Sequence, residues 1–172
     1  ISSFKEKDTT HIHGESIIIT GKEGEQIIRA FNNGKILRNT LSGKCDSIHY
    51  DQVSGIAQLI NNKNNLSKKS RKIKKPILWN NKSQITGDSI HIKFDTENNI
   101  IDSLYVFDNA FIIEKDTLDL GYNQISGKKL FGNFIEGKLK FIDIIKNAES
   151  VYYLRNSENE LIGIDKSKSA KI

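Results

Sequence analysis

Apolar and polar side chains alternate along two runs of the segment 87–113, and an asparagine-rich turn separates the two runs. A period of two residues places the apolar side chains on one face of an extended chain. Two such runs joined by turn residues are typical of antiparallel strands with one buried face. The segment therefore predicts a hairpin unit with which the rest of the chain can be compared. Its apolar positions are Ile90, Ile92, Phe94, Leu104, Val106, Ala110 and Ile112.

The opening of this unit recurs along the chain. Similar openings begin at Gly14, Cys45, Gly87 and Gly127, so successive starts lie 31, 42 and 40 residues apart. In the first three units the next residue is acidic. We interpret it as a side chain that hydrogen-bonds at a turn or at the start of a strand, not as a catalytic acid. The residues at this position are Glu15, Asp46, Asp88 and, in the fourth unit, Lys128.

The returning half of the unit recurs as well, with a small residue or a proline at one place: Gly34, Pro76, Ala110 and Ala148. A small residue there permits a β-bulge or a close backbone approach, and a proline indicates an edge or the beginning of a strand. Any all-β chain gives some matches by chance. The correspondence at both ends of the unit nevertheless favours four related units.

The remaining pattern predicts strands and turns throughout. Asn32-Asn33-Gly34 is a turn signal, and we expect it to separate a strand over 27–31 from another over 36–41. No segment combines helical periodicity with a capping residue at one end and a glycine at the other. We therefore expect an all-β chain of about twelve to sixteen short strands.

Length and composition indicate one folded domain over 1–172. The chain has 172 residues, of which 27% are charged and 37% hydrophobic, as is typical of a folded domain with its own core. Its longest apolar runs, such as 17–19, are much shorter than the ~20 residues of a membrane-spanning helix. Because the chain contains no methionine, we expect it to be a segment of a longer or processed polypeptide.

Cys45 is the only cysteine. It cannot form an internal disulfide, and a single cysteine excludes a cysteine-rich zinc site. It stands where the other units have glycine, so we predict a small, buried, structural thiol.

Histidines do not indicate a reactive site. His11 and His13 share one face of a strand, which suits a metal, but no third ligand lies nearby. His49 and His91 each follow a core isoleucine, so alternation directs them to the surface. The sequence contains no nucleotide-binding, nucleophile or metalloprotease motif. We therefore predict a non-catalytic chain with no metal and no cofactor.

A basic segment interrupts the second unit. Seventeen positions separate Leu59 from Pro76, whereas six separate Leu104 from Ala110, which indicates an insertion at 63–73. The segment and its flank contain many Lys and Arg residues and no acidic residue.

The charge of the molecule is concentrated in this segment. Between Asp51 and Asp88 there are eight Lys or Arg residues, so the rest of the chain sums to −3 although the net charge is +5. The segment is a solvated insertion, a contact for phosphates or anionic lipid head groups, or a nucleic-acid site. Nucleic acid is disfavoured because no aromatic residues interleave with the charges. The candidate head-group contacts are Lys68, Lys69, Arg71, Lys72, Lys74 and Lys75.

Several stretches resemble a known family. They read GKCDSIHYD, then PILWNNKSQITGDSIHI, and near the end YNQISGKKLFGNFIEGKLKFIDIIKNAESVYYL followed by ELIGIDKSKS. These stretches resemble the OstA-like family of Gram-negative lipopolysaccharide-transport proteins, of the LptA type and of the LptD N-terminal type. The resemblance covers the chain from about Gly14 onward, and the basic insertion departs from it.

The resemblance implies a twisted, open-ended antiparallel β-jelly-roll without enzymatic activity. It also implies a role in a bridge that shields the acyl chains of lipopolysaccharide between the inner and outer membranes. The implied location is the periplasm, with association to the outer membrane. The implied partners are lipopolysaccharide and other β-jelly-roll domains stacked end to end, including copies of this chain, and not nucleic acid.

The alternating pattern is compatible with such a groove. If two facing sheets splay at one edge, their apolar side chains line a slot where each buried CH₂ contributes about 0.8 kcal/mol. The alternative is that the same side chains fill a sealed core, as in a structural or glycan-binding β-solenoid of an adhesin. The groove candidates are Ile17, Ile19, Ile48, Tyr50, Ile90, Ile92, Phe94, Leu104, Val106, Ala110, Ile112, Ile142 and Ile144.

Overall fold

The computed structural model describes residues 9–38, 40–61, 75–80, 82–97, 100–116, 118, 121–136 and 138–172. Over these ranges the chain forms β-strands and no helix, which confirms the all-β prediction. A helix long and apolar enough to cross a membrane is accordingly absent from them. The strands are β1 (His11–His13), β2 (Ser16–Thr20), β3 (Ile27–Arg38), β4 (Leu41–Asp51), β5 (Ile56–Ile60), β6 (Ile77–Asn80), β7 (Ser83–Thr86), β8 (Ser89–Phe94), β9 (Ile101–Lys115), β10 (Tyr122–Ile135), β11 (Lys138–Arg155) and β12 (Leu161–Lys171).

Neighbouring strands pair antiparallel in the order β1-β3-β4-β5-β8-β9-β10-β11-β12. β2 also pairs with β3, so β1 and β2 share one side of that strand. β6 pairs with the first part of β4 and β5 with its last part. In the same way, β8 pairs with the first part of β9 and β7 with its last part. The expectation of short strands is wrong for the second half of the chain, because β9, β10 and β11 have 15, 14 and 18 residues.

Three of the long strands bend sharply without ending. In β3, β9 and β11, two consecutive residues have left-handed backbone, and the register with a neighbouring strand shifts at the same place. A left-handed backbone is least costly for Asn and Asp among residues with a side chain. The turn expected at Asn32-Asn33-Gly34 is therefore wrong as a strand boundary, since β3 continues through it as a bulge. The bent pairs are Asn32 and Asn33, Asp108 and Asn109, and Lys146 and Asn147.

These bends divide the strands into two sheets that face each other. A methyl group on Gly43, in the part of β4 that pairs with β6, would lie 2.8 Å from Cδ2 of Leu59 in β5. The guanidinium carbon of Arg38 lies 4.2 Å from the ring centre of Phe94, again across the space between the sheets. The fold is a twisted antiparallel β-jelly-roll. We call the bent side the spine and the opposite side, where the strand-joining turns lie, the seam.

Recurrent glycines at the spine lie where no side chain fits. A Cβ atom on Gly87 would lie 2.2 Å from Cγ1 of Val106, and one on Gly127 would lie 2.3 Å from Cγ2 of Ile144. Val106 and Ile144 are the second residues before the bends of β9 and β11. Equivalent glycines thus pack against equivalent positions, as the repeat predicts.

The acidic residue after the glycine hydrogen-bonds to the bend of the neighbouring strand. Nδ2 of Asn109 donates a hydrogen bond to Oδ1 of Asp88 at 3.1 Å. In the first unit, Nδ2 of Asn33 donates to Oε1 of Glu15. The hydrogen-bonding role expected for these two carboxylates is confirmed, and they stabilise the spine.

In the second unit Cys45 stands where the other units have glycine, and it is buried. Its thiol donates to the carbonyl oxygen of Ser47 at 3.2 Å and also lies 3.8 Å from that of Gly34. Burial raises the pKa of Cys45 from 9.0 to about 12. The prediction of a small, packed, structural thiol is confirmed.

Candidate functional site

Most of the groove candidates lie in a closed centre between the two sheets. They contact one another in a single apolar cluster that also contains Leu59, Leu78 and Ile85. Each is at most 5% exposed, so this part of the interior is packed side chain against side chain. The candidates in the closed centre are Ile48, Ile90, Ile92, Phe94, Leu104, Val106, Ala110, Ile112 and Ile144.

The other candidates line openings at the margins of this centre. A cleft of about 490 Å³ opens between β1 and β2 at the amino-terminal end, and we call it the terminal cleft. Ile17 and Ile19 line it and are 44% and 55% exposed, whereas Tyr50 lies deeper and is half-buried. Ile12 and Ile28 complete its apolar wall, and the sequence analysis did not identify them.

Tyr50 connects the terminal cleft to a stack of side chains between the two sheets. Tyr50 packs edge-on against Phe94, with ring centres 6.4 Å apart. Arg38 covers the Phe94 ring from the opposite sheet and is itself 4% exposed. The stack joins the two sheets near the seam. The alternating apolar pattern of the sequence did not predict a buried arginine at this place.

A second cleft, of about 360 Å³, opens along the seam, and we call it the seam cleft. Ile112 and Ile142 are groove candidates that line it. Its other apolar walls are Ile85, Ile125 and Leu139, which the sequence analysis left out. Alternation along β7 and β10 marks Ile85 and Ile125 as inward-facing, so the pattern contained the signal for these two.

Charged and polar side chains surround the mouth of the seam cleft. Lys82 lies in the turn between β6 and β7, and Lys138 begins β11 on the other sheet. Glu114 also lines the cleft, and its Oε2 accepts a hydrogen bond from Oγ of Ser83 at 3.0 Å. The pKa of Tyr152 is raised, chiefly by burial and also by the charge of Glu114.

A buried ion pair fixes the last hairpin. Nε of Arg155 donates to Oδ1 of Asp116 at 3.1 Å, and Nη2 donates to Oδ2 of the same carboxylate. Nη1 donates to the carbonyl oxygen of Asn159 at 2.7 Å. The forked contact ties the turn between β11 and β12 to the end of β9. Sequence reasoning did not identify this pair, because its members lie 39 positions apart.

The head-group candidates lie almost entirely outside the described residues. Lys68, Lys69, Arg71, Lys72 and Lys74 belong to that part of the chain. Lys75 is described, and its Nζ lies 3.7 Å from Oδ1 of Asp88 at the spine.

The histidines differ in their surroundings. His91 is half-buried on the outer face, its ring centre lies 4.8 Å from that of Phe107, and burial lowers its pKa. His49 is also half-buried, and its Nε2 has no hydrogen-bond partner within the described part of the chain. Both point away from the core as predicted, but neither is a freely exposed imidazole. His11 and His13 are exposed on β1.

Edge strands bound the sheet at both ends. Within the described ranges, β2 pairs only with β3, and β12 pairs only with β11. Both strands expose apolar side chains, with Ile18 on β2 and Ile162 and Ile164 on β12 being 49%, 66% and 51% exposed.

Paired sheets joined at a bent spine, with apolar clefts and free edge strands, define the molecule as an open-ended β-jelly-roll. Among solved structures it is similar to LptH, described as the LptA-homologous periplasmic component of the conserved lipopolysaccharide transport device from Pseudomonas aeruginosa. The TM-score is 0.54 at 10% sequence identity, and the match covers 92% of this chain and 94% of the other. At this identity the likeness is one of fold. No family model and no curated protein sequence matches the chain.

Proposed function

We propose that this chain is a non-catalytic domain of a lipopolysaccharide-transport bridge, located in the periplasm and associated with the outer membrane. The observation that carries the proposal is an aliphatic interior between two sheets that opens to solvent at two clefts. The shared fold with LptH, the periplasmic component named above, supports it.

Transfer of acyl chains into such clefts has a large driving force. Each CH₂ that leaves water contributes about 0.8 kcal/mol, and no specific polar contact is needed. Ile17 and Ile19 in the terminal cleft and Ile142 in the seam cleft present aliphatic surface of this kind. For a chain to pass from one cleft to the other, the sheets would have to separate at the seam and open the packed centre.

The edge strands support end-to-end assembly with other β-jelly-roll domains or with copies of this chain. Unpaired backbone groups of an edge strand pair readily with another strand. β2 and β12 are different surfaces, so their pairing is heterologous and extends a filament instead of closing a dimer.

Photocrosslinking tests the acyl-chain role. A photoreactive residue at Ile19 or Ile142 faces a cleft, whereas one at the neighbouring Ile18 or Phe141 faces outward. We expect purified lipopolysaccharide to crosslink several-fold more at the cleft positions than at the matched outward positions. Equal labelling, or no labelling where LptH is labelled in parallel, would contradict the proposal.

A second candidate function is glycan binding on the outer face. Tyr105 is 41% exposed and its ring centre lies 4.8 Å from that of Phe131, with His91 and Phe107 beside them. Such a row of rings is a flat surface on which a sugar ring can stack. The β-solenoid version of this alternative is wrong, because every described pairing is antiparallel. Replacing Tyr105 with serine abolishes glycan binding under this alternative and leaves lipopolysaccharide crosslinking unchanged under the first.

A further inference from the structure

We propose that the seam cleft is a binding site for an anionic amphiphile with a phosphate head, whose head contacts Lys82 and Lys138 while one of its apolar chains lies between the sheets. The site would be distinct from the basic segment in which the sequence placed the head-group contacts. The identification of lipopolysaccharide as the natural ligand rests on the proposed function. The binding of a phosphate amphiphile by this cleft does not rest on it.

The walls of the cleft suit an aliphatic chain. Ile85, Ile112 and Ile125 come from one sheet, and Leu139 and Ile142 come from the other. A volume of about 360 Å³ lies at the lower end of the ~300–1,000 Å³ that is usual for small-molecule sites. The cleft is therefore large enough for part of a chain and is apolar on both sides.

The two lysines stand on opposite lips of the seam. Lys82 belongs to the β6–β7 turn of one sheet and Lys138 to the first position of β11 on the other, and both are exposed. Neither has an ion-pair partner within the described ranges, whereas Lys128, Lys168 and Lys171 elsewhere on the surface each do. An anion at the mouth would contact a cation from each sheet.

Other ionisable groups at the mouth leave the site cationic. Among the described residues, Glu114 is the one carboxylate that lines the cleft, and it accepts the hydrogen bond from Ser83. The Tyr152 hydroxyl is uncharged at neutral pH, since the ordinary pKa of tyrosine is 10.0 and burial raises the pKa of Tyr152 further. Two ammonium groups against one carboxylate give a net charge of +1, which favours an anionic head over a neutral or cationic one.

Binding of alkyl phosphates below their micellar concentration tests the site. We expect affinity to rise about fourfold for each added methylene while the chain still fills the cleft. Inorganic phosphate alone should not bind measurably, which separates an amphiphile site from a free-phosphate site. Alkyl trimethylammonium compounds and alkyl glucosides of the same chain length should bind more weakly than the alkyl phosphate.

Charge reversal tests the two lysines. In the K82E/K138E variant we expect the affinity for dodecyl phosphate to fall about tenfold, because each attraction becomes a repulsion. Affinity for dodecyl glucoside should change less than twofold in the same variant. The matched control is K44E/K93E, which reverses two exposed charges on the outer faces that line neither cleft. Thermal unfolding of each variant shows that the fold is retained.

Equal losses in the two double variants would overturn the proposal, since a general charge effect would then explain the binding. So would equal affinity for alkyl phosphates and alkyl glucosides. These results are independent of the proposed function. Alkyl phosphate binding that needs Lys82 and Lys138, together with no crosslinking of lipopolysaccharide at Ile142, would refute the transport role and retain the site. The converse result would retain the transport role and refute the site.

Discussion

The packing of Gly87 against Val106 leads to a sharp prediction for the stability of the spine. An alanine Cβ at position 87 would lie 2.2 Å from Cγ1 of Val106, far inside the ~3.5–4.0 Å of an ordinary carbon contact. Val106 is fully buried and, being β-branched, has little freedom to rotate away. The backbone cannot retreat either, because the amide of Asp88 donates to the carbonyl oxygens of Phe107 and Asp108 at 3.1 and 2.9 Å.

We therefore expect Gly87→Ala to cost the upper part of the range for overpacking, about 2–3 kcal/mol of the free energy of unfolding. For a domain of this size that lowers the thermal midpoint by about 4–12 °C. The matched control is Gly163→Ala in β12, where an added Cβ meets nothing within 4 Å. It should change the free energy of unfolding by less than about 0.5 kcal/mol.

A double-mutant cycle separates this contact from a general loss of stability. Val106→Ala alone removes two buried methyl groups and should be destabilising by about 1–3 kcal/mol. In the double variant the new methyl group at 87 fills the space left at 106, so the combined loss should be smaller than the sum by at least about 0.5 kcal/mol. Urea unfolding followed by circular dichroism measures all four proteins. Effects that add to within about 0.3 kcal/mol would refute the steric explanation.

Three further predictions concern ionisable groups. Burial raises the pKa of Cys45 from the ordinary 9.0 to about 12, so the unfolded chain loses the thiol proton at lower pH than the folded chain. The free energy of unfolding should therefore fall as the pH rises from about 9 towards 12. Cys45→Ala should make this decline less steep in urea titrations at several pH values, and an unchanged slope would contradict the assignment. Asp116→Asn should lower the thermal midpoint more than Glu149→Gln, because Asp116 is 4% exposed whereas Glu149 pairs with Lys168 in solvent; equal shifts would show that the buried pair adds nothing. Replacing the six Lys and Arg residues of 68–75 with Gln should change the thermal midpoint by less than about 2 °C, since Lys75 makes only a partly exposed ion pair with Asp88. The same replacement should weaken salt-sensitive binding to anionic vesicles, measured by co-sedimentation. A variant that binds with the same affinity and the same salt dependence would exclude the segment as a head-group contact.

Much of the fold was predictable because alternation and repetition are local signals. Each inward position of the hairpin at 87–113, from Ile90 to Ile112, is buried as the period of two requires. The correspondence of Gly34, Ala110 and Ala148 marked the spine, since each follows a left-handed pair. The interpretation of Asn32-Asn33-Gly34 as a turn between two strands was wrong. The same residues that favour a chain reversal also permit a bulge, and only the pairing of β3 with β4 on both sides of them distinguishes the two.

The clefts were less predictable, because alternation says which face is inward but not whether that face is sealed. Ile48 and Ile19 have the same pattern along the chain, yet one lies in the closed centre and the other is 55% exposed at the terminal cleft. The difference arises from position in the strand order, since β2 is an edge strand and β4 is internal. The sequence did not indicate Lys82 and Lys138, because they line one cleft only through the facing of the two sheets.

The left-handed pairs in β3, β9 and β11 also determine which motions the molecule can make. Since β3, β9 and β11 continue through the bends from one sheet into the other, the two sheets cannot slide past each other without breaking the hydrogen bonds between these strands and their neighbours. The motion that remains is a hinge rotation of the two sheets about the line of bends. We therefore expect a ligand that enters between the sheets to change mainly the angle between them.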